Sequence, residues 1–511
     1  MFGKQLPVRG RRQFTGGGTC ELQTFSQIWI PGLRFAARNE VWGGDVMMKS
    51  NLSNYSGKIL FAAGRQPLPK CPRLALLLAA ALCAVPVASR GNALPVTWSG
   101  PIEVAQGESV RGPWRMNESV WRFVDDPTAA VTDQGHAGVA WVDHARQDIL
   151  FQMYAPDGRP RLAEPVNVSR SPGIFSWLPR MIMTSGDPEQ VYILWQEIIF
   201  SGGTHGGEIF FARSTDGGRS FNRPLNLSNT IAGAGKGRLT REIWFNGSLD
   251  LAASDGILYA AWTEYEGALR FSRSTDRGES FSEPVRIAGG QGESPARGPS
   301  LAVGPGGEVH LVWTVGEDPA ADIHYTRSTD QGQSFGSPMV IVESDGYSDA
   351  PKIAVDGRGT LHLVYAESPD GPLQRYHIRH TRSEEGGGAF QEPKEISGAH
   401  SEAFESVGFP YLDLDGEGNL YVLWELFPEE GRFPQGLGLT FSGDGGATFA
   451  SPAVVPGGFD PQLGFNGSQQ GLFMKKLAVN QAGEMAIVNS TFKPQGSSRI
   501  WLIRGRAGAG R

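Results

Sequence analysis

The chain has 511 residues, of which 40% are hydrophobic, 10% aromatic and 19% charged, with 69 glycines and 34 prolines, a balance that suits many short strands joined by turns better than a helical bundle. Residues 1–73 hold eleven of the 46 Lys+Arg and three of the 53 Asp+Glu, so the remainder carries 35 basic against 50 acidic side chains; a body that acidic argues against nucleic acid as a partner, which needs a basic footprint. All the cysteines, Cys20, Cys71 and Cys83, fall in the first 83 residues, leaving no disulfide framework or cysteine-ligated metal site downstream.

Residues 1–69 are rich in glycine and arginine and show no periodicity, which predicts an extension that is not folded, with Met47 or Met48 as a better start than Met1. From Lys70 the text reads KCPRLALLLAAALCAVPVASRGNALP. Positive charges, an apolar run of about a dozen residues and then small residues are the three parts of a secretory signal, too short for a comfortable membrane span. Residues 70–93 are thus expected to direct export, to a secreted or periplasmic location, and to leave no stable membrane span once removed.

Residues 94–511 repeat. A glycine-bearing octet, quoted with the residue before it, occurs as RSTDGGRSF at 213–221, RSTDRGESF at 273–281 and RSTDQGQSF at 327–335, then loosely as RSEEGGGAF and FSGDGGATF, with its acidic residue at 216, 276, 330, 385 and 444. Each copy sits in the same grammar: an apolar strand, a Gly turn, a second strand ending in an aromatic, a third strand, the octet, and a fourth strand. Equivalent first strands begin near Thr128, Arg180, Leu249, Ser300, Lys352, Tyr411 and Lys476. Four antiparallel strands per repeat predict an all-β fold, a β-propeller with seven blades favoured and six as the alternative. The last repeat supplies only three strands. WSGPIEVAQG at 98–107 parallels the fourth strand FSEPVRIAGG at 281–290, so pairing of the N-terminal strand with the last blade should close the ring.

Read physically, the octet is a turn: Ser and Asp bond nearby amides, Gly allows positive φ, and the aromatic tucks under the sheet. Its pattern, S-x-D-x-G-x-[ST]-[FW], resembles the Asp box of the sialidase (neuraminidase) superfamily. That resemblance implies an Asp-box propeller in which the boxes lie on the face away from the active site. It also implies a terminal acidic sugar as substrate, gripped by three arginines, with a tyrosine nucleophile helped by a glutamate and an aspartate acid.

The loops feeding the first strands are therefore where a site is sought. Arg180 in SWLPRM, Arg241 in RLTREIWF and Arg297 in SPARGPS come from successive repeats at similar places, and their guanidinium groups could fork onto a carboxylate. Tyr347 in SDGYSDAP, with Glu405 or Glu197, and Asp143 or Asp148 are the nearest fits to the remaining roles. Second strands end in a recurring acid, at Asp143, Glu197, Glu264, Glu367 and Glu425, which predicts a ring of carboxylates near the channel mouth. The pattern departs from the family in the first repeat, where aspartates occupy the neighbourhood of an expected arginine and Arg122 would have to substitute. His136 and His144 lie on that repeat, and VDH at 142–144 is similar to propeller polysaccharide lyases that use a histidine base. No cofactor and no metal is expected. The partner is a glycan or glycoconjugate substrate, or a protein bound by a non-catalytic scaffold that uses the same face.

Overall fold

The computed structural model describes residues 96–113, 115–199, 207–230, 249–264, 267–316, 320–371, 375–384, 386–428, 434–458 and 475–507. The expected extension and signal segment lie outside the described residues. Among those described, strand dominates, with one 3-10 turn at Met116–Glu118 and one short helix at Gly398–Ala403.

Four-stranded antiparallel sheets span 124–167, 176–226, 249–288 and 406–454. Between the third and fourth of these lies an eight-stranded sheet whose halves, 296–342 and 347–395, are each antiparallel and are joined by one parallel pair, Ala321 with Tyr347. The final sheet contains Leu477–Val479, Glu484–Phe492 and Ser498–Ala507. Ile102–Gly107 pairs with this last strand, Ile102 opposite Leu502, and Val96–Trp98 continues along it, Val96 opposite Ala507. The N-terminal strand thus joins the last sheet, as the parallel between 98–107 and 281–290 predicts. The first strands of the units touch in chain order, and Leu477–Val479 returns to Val124–Val131. The architecture is an all-β propeller closed by its own two ends.

Second strands such as VYILW, LYAAW and VHLVW are nearly continuous apolar runs because each lies inside its sheet and has both faces covered by neighbouring sheets. Trp141, Trp195, Trp262, Trp313 and Trp424 are all fully buried there.

The octets hold neighbouring units together. In the first copy Ser214 donates to Asp216 at 2.7 Å, Asp216 accepts from the Ser220 amide at 2.9 Å and its hydroxyl at 2.5 Å, and the Gly218 amide donates to Ser214 at 2.8 Å. The same bonds recur at 274–280, 328–334 and 442–448. Gly278 has φ +81° and an added Cβ would meet the Phe211 ring at 2.8 Å, so glycine is required by both backbone and space. The octet phenylalanine packs on the preceding unit, Phe281 on Phe211 and Phe335 on Phe271. The arginine before each octet reaches the following one: Arg213 donates to the Arg277 carbonyl at 2.9 Å, Arg273 to the Gln331 carbonyl at 3.0 Å and Arg327 to the Gly386 carbonyl at 2.6 Å.

Candidate functional site

At the opposite end of the strands from the octets, one local device recurs. Asp126, Leu178, Gly298, Ala350 and Phe409 all have φ between +50° and +60°, and each is followed by a proline, Pro127, Pro179, Pro299, Pro351 and Pro410. The pairing register slips at these places, for example between Asp349 and Lys352 and between Gly408 and Tyr411. This is a bulge, where proline is tolerated because the ladder is already interrupted, and it re-aims the side chains that follow.

Just beyond the bulge, one level of the first strands can be read around the propeller. Thr128 opposes Ala140, Arg180 opposes Leu194, Asp250 opposes Ala261, Ser300 opposes Val312, Lys352 opposes Val364 and Tyr411 opposes Leu423. Lys476 completes the level, its carbonyl accepting the Val488 amide at 3.0 Å. Each partner is the residue preceding the second-strand Trp, Tyr or Asn, so these positions are equivalent.

Four of them form one electrostatic cluster. Arg180 is buried, and its charge is coupled to Tyr411, Asp250 and Asp126. Lys352 is coupled to Asp250, Arg180 and Asp349, and its ammonium lies 5.2 Å from the centre of the Tyr411 ring. Tyr411 feels Arg180, Asp250 and Asp413. Arg180, Asp250, Lys352 and Tyr411 belong to four different units, whose first strands touch in chain order around the propeller. Burial pushes the Lys352 amine down to about 8, with Asp250 opposing and Arg180 reinforcing that shift. Burial drives the Tyr411 hydroxyl far above the usual phenol range. Asp250 is held in place by accepting the Leu301 amide of the next unit at 2.8 Å.

Tyr411 also lines a small recess with Phe409, Leu423, Trp424, Glu425, Leu437 and Lys476. Inside it Lys476 pairs with Glu425 and donates to Asn489 at 3.0 Å. Burial raises the Glu425 carboxyl, while Lys476 opposes the rise.

Arg297 and Tyr347, singled out in the sequence, are brought together elsewhere. Arg297 is fully buried, donates to the Tyr347 hydroxyl at 2.5 Å and to the Gly316 carbonyl, and lies 3.6 Å from Asp349. Thr314 donates to the other Asp349 oxygen at 3.0 Å. This group fills the seam between the two halves of the eight-stranded sheet. Arg241 lies outside the described residues. Arg122 is half-exposed and pairs with Glu108 at 3.0 Å.

Of the second-strand acids, Glu425 is paired with Lys476 of the next unit, whereas the others are taken up by groups nearer in sequence. Glu264 pairs with Arg270 and Glu367 with Arg379, both at 2.8 Å. Asp143 accepts the Ala145 and Arg146 amides and pairs with Arg146 at 3.3 Å. Glu197 accepts from Trp195 at 3.1 Å and from Ser171, and burial raises its carboxyl. Asp148 accepts Asn167 and Ser169 at 2.7 and 2.8 Å. Glu405 is exposed beyond the 398–403 helix. His144 is packed among Trp121, Phe123 and Phe175, and burial holds it well below the ordinary imidazole range. That aromatic box makes it a core residue, which corrects the reading of VDH as a base. Among the described residues no group of three or more His, Cys, Asp or Glu could hold a metal ion, and no helix is long and apolar enough to cross a membrane.

Asp250, Lys352 and Tyr411 are the residues that sequence reasoning missed as site residues. Lys352 and Tyr411 were legible only as places where first strands begin. For Lys352 and Tyr411 the signal is the proline directly before each, Pro351 and Pro410, whereas Asp250 follows Leu249 and carries no such signal.

No family model and no curated protein matches the chain. Among solved structures it is similar to a PL25 ulvan lyase bound to a GlcA(1-4)Rha3S unit, at 13% identity and TM-score 0.48 over 79% of this chain and 96% of that one. It is similar to a Penicillium chrysogenum alpha-L-arabinanase at 15% identity and TM-score 0.43, covering 64% and 92%. A Hadza microbial sialidase matches at 14% identity and TM-score 0.39, covering 66% of each chain. These likenesses are distant, and the reading of function rests on the chain's own residues.

Proposed function

We propose that the chain is an exported propeller that holds an acidic sugar of a glycan at the end of its axis remote from the Asp boxes. In this proposal the two halves of the eight-stranded sheet count separately, giving seven blades. The observation that carries the reading is the convergence of Arg180, Lys352, Asp250 and Tyr411 from four units on one space. A guanidinium and an ammonium suit a carboxylate, while an aspartate and a phenol suit sugar hydroxyls, and burial strengthens each contact.

The test is calorimetric titration with galacturonate and N-acetylneuraminate against neutral galactose. The acidic sugars should bind in preference, and Arg180→Met should remove that preference. Equal affinity for acidic and neutral sugars would sink the proposal.

The hydrolytic form of the proposal is removal of a terminal, sialic acid-type sugar. It takes Tyr347 as nucleophile with Glu405 or Glu197 as helper and Asp143 as acid, and Arg180, Arg241 and Arg297 on the carboxylate. Release of a fluorogenic aglycone from a sialoside at about pH 4 to 8 tests it. A non-catalytic glycan- or protein-binding scaffold is the second reading, favoured by the closed packing of Tyr347 under Arg297. Retained binding with no release above a buffer blank would support it.

A further inference from the structure

We infer that the helix Gly398–Ala403 is an acid-released latch, in which His400 plugs a hole that the unit 406–454 leaves beside Trp424. The inference stands apart from the acidic-sugar site and holds or fails without it.

The hole has a cause in the sequence. In the unit 249–288 Arg270 stands opposite Trp262, in the unit 347–395 Arg379 stands opposite Tyr365, and each arginine meets the acid two residues past that aromatic. In the unit 406–454 the residue opposite Trp424 is Gly438, and Leu426 holds the place of the acid. Trp195 donates its indole N–H to Glu197 at 3.1 Å, a bond for which Trp424 has no equivalent carboxylate.

His400 fills this space. It is buried, with its ring edge-on to Trp424 at 5.6 Å between centres and edge-on to Phe404 at 5.7 Å. A Cβ on Gly438 would lie 2.5 Å from both His400 Nδ1 and Trp424 Nε1, so the two nitrogens converge on the room that glycine leaves. Neither nitrogen has a hydrogen-bond partner among the described residues, and ring packing is what seats the imidazole. Six residues are too few to hold a helix unaided, so the seat of His400 holds it.

Acid reverses the fit. Protonation puts a charge and a second N–H into a seat whose facing group, the Trp424 N–H, is itself a donor. The titratable groups of the surrounding elements turn elsewhere. Glu402 and Glu405 are exposed, Tyr411 lies beneath the Lys352 ammonium, Asp413 accepts the Val479 amide, Tyr421 donates to Asp415 and Glu425 pairs with Lys476. Burial alone holds the imidazole down to about 4, against about 6.5 in water. The latch is therefore firm above about pH 6.5 and weakens as pH falls toward about 4, its opening rising about twentyfold between pH 7 and pH 5. The helix lies in the connection to the first strand that carries Tyr411, so release loosens the end of the propeller that bears the bulge prolines.

The test is hydrogen exchange of the full chain at pH 7 and pH 5, read by mass spectrometry with intrinsic rates divided out. Peptides covering 398–407 report the latch, and 257–274 is the control. We expect 398–407 to exchange about twentyfold faster at pH 5 with the control unchanged. His400→Gln should abolish that pH dependence. Gly438→Ala should displace His400 and bring exchange at pH 7 at least to the wild-type rate at pH 5. Where thermal unfolding shows that His400→Gln does not fold, Gly438→Ala carries the decision. An unchanged 398–407 rate, an acid response that His400→Gln retains, a control that accelerates in step, or undiminished protection in Gly438→Ala each overturns the latch.

Discussion

Arg180 and Arg297 are both fully buried and both lie on a first strand within two residues of its bulge proline, yet they keep different company. Arg180 follows Pro179 and shares an electrostatic cluster with Asp250, Lys352 and Tyr411. Arg297 precedes the left-handed Gly298 and is locked to Tyr347, Gly316 and Asp349 in the seam between two units. The bulge turns a shift of a few positions along the strand into a change of face. The buried arginine before the bulge fastens blades, and the one after it joins the cluster with Asp250, Lys352 and Tyr411.

The largest expected effect breaks this comparison if it fails. Arg297→Met strands Asp349 and the Tyr347 hydroxyl and should cost about 3–5 kcal/mol in urea unfolding, with acidic-sugar affinity unchanged in the protein that folds. Arg180→Met should do the reverse, abolishing the preference for acidic sugars at a smaller stability cost.

Next in size is the buried pair beside Tyr411. Lys476→Met leaves Glu425 uncompensated and should destabilise by about 3 kcal/mol or more, whereas Lys476→Met with Glu425→Leu should recover most of that loss. A double variant no more stable than the single one would show that the pair is not an isolated unit.

A third prediction contrasts two seams. Tyr259 stacks on Phe271, but the equivalent pair further round is His362 on His380, with ring nitrogens 3.4 Å apart. Burial holds His362 down to about 4 and His380 down to about 3. Both are neutral in the fold, so as pH falls below the unfolded value of about 6.5 the unfolded chain takes up protons that the fold refuses. Stability should therefore fall from pH 6.5 toward pH 4. His362→Tyr with His380→Phe should lessen that fall, the buried His144, His310 and His400 supplying the remainder, without changing the melting temperature much at pH 8.

The smallest effect belongs to the Asp boxes. Asp276→Asn weakens the bonds to Ser274 and Ser280 and should lower the melting temperature by a few degrees, leaving glycan affinity unaltered. A selective loss of affinity would move function to that end of the propeller.

Much of the fold was legible because its markers are local. The octet sets the strand register, and the likeness of 98–107 to a fourth strand discloses the closure. The site was less legible because a carboxylate at a strand end reads the same whether it faces a ligand or an arginine of its own sheet. Glu264 and Glu367 are met by Arg270 and Arg379, as a plain salt-bridge reading allows. Arg180 and Arg297 were aligned as equivalent, although counting from the prolines separates them. Lys352 and Tyr411 carried no motif at all, and only the ring of equivalent positions makes them a pair.

A structure with a bound galacturonate oligosaccharide tests the central claim most directly. The sugar carboxylate is expected on Arg180, at the end of the axis remote from the Asp boxes. A carboxylate bound at the Arg297 seam, or a sugar bound away from the axis, would contradict it.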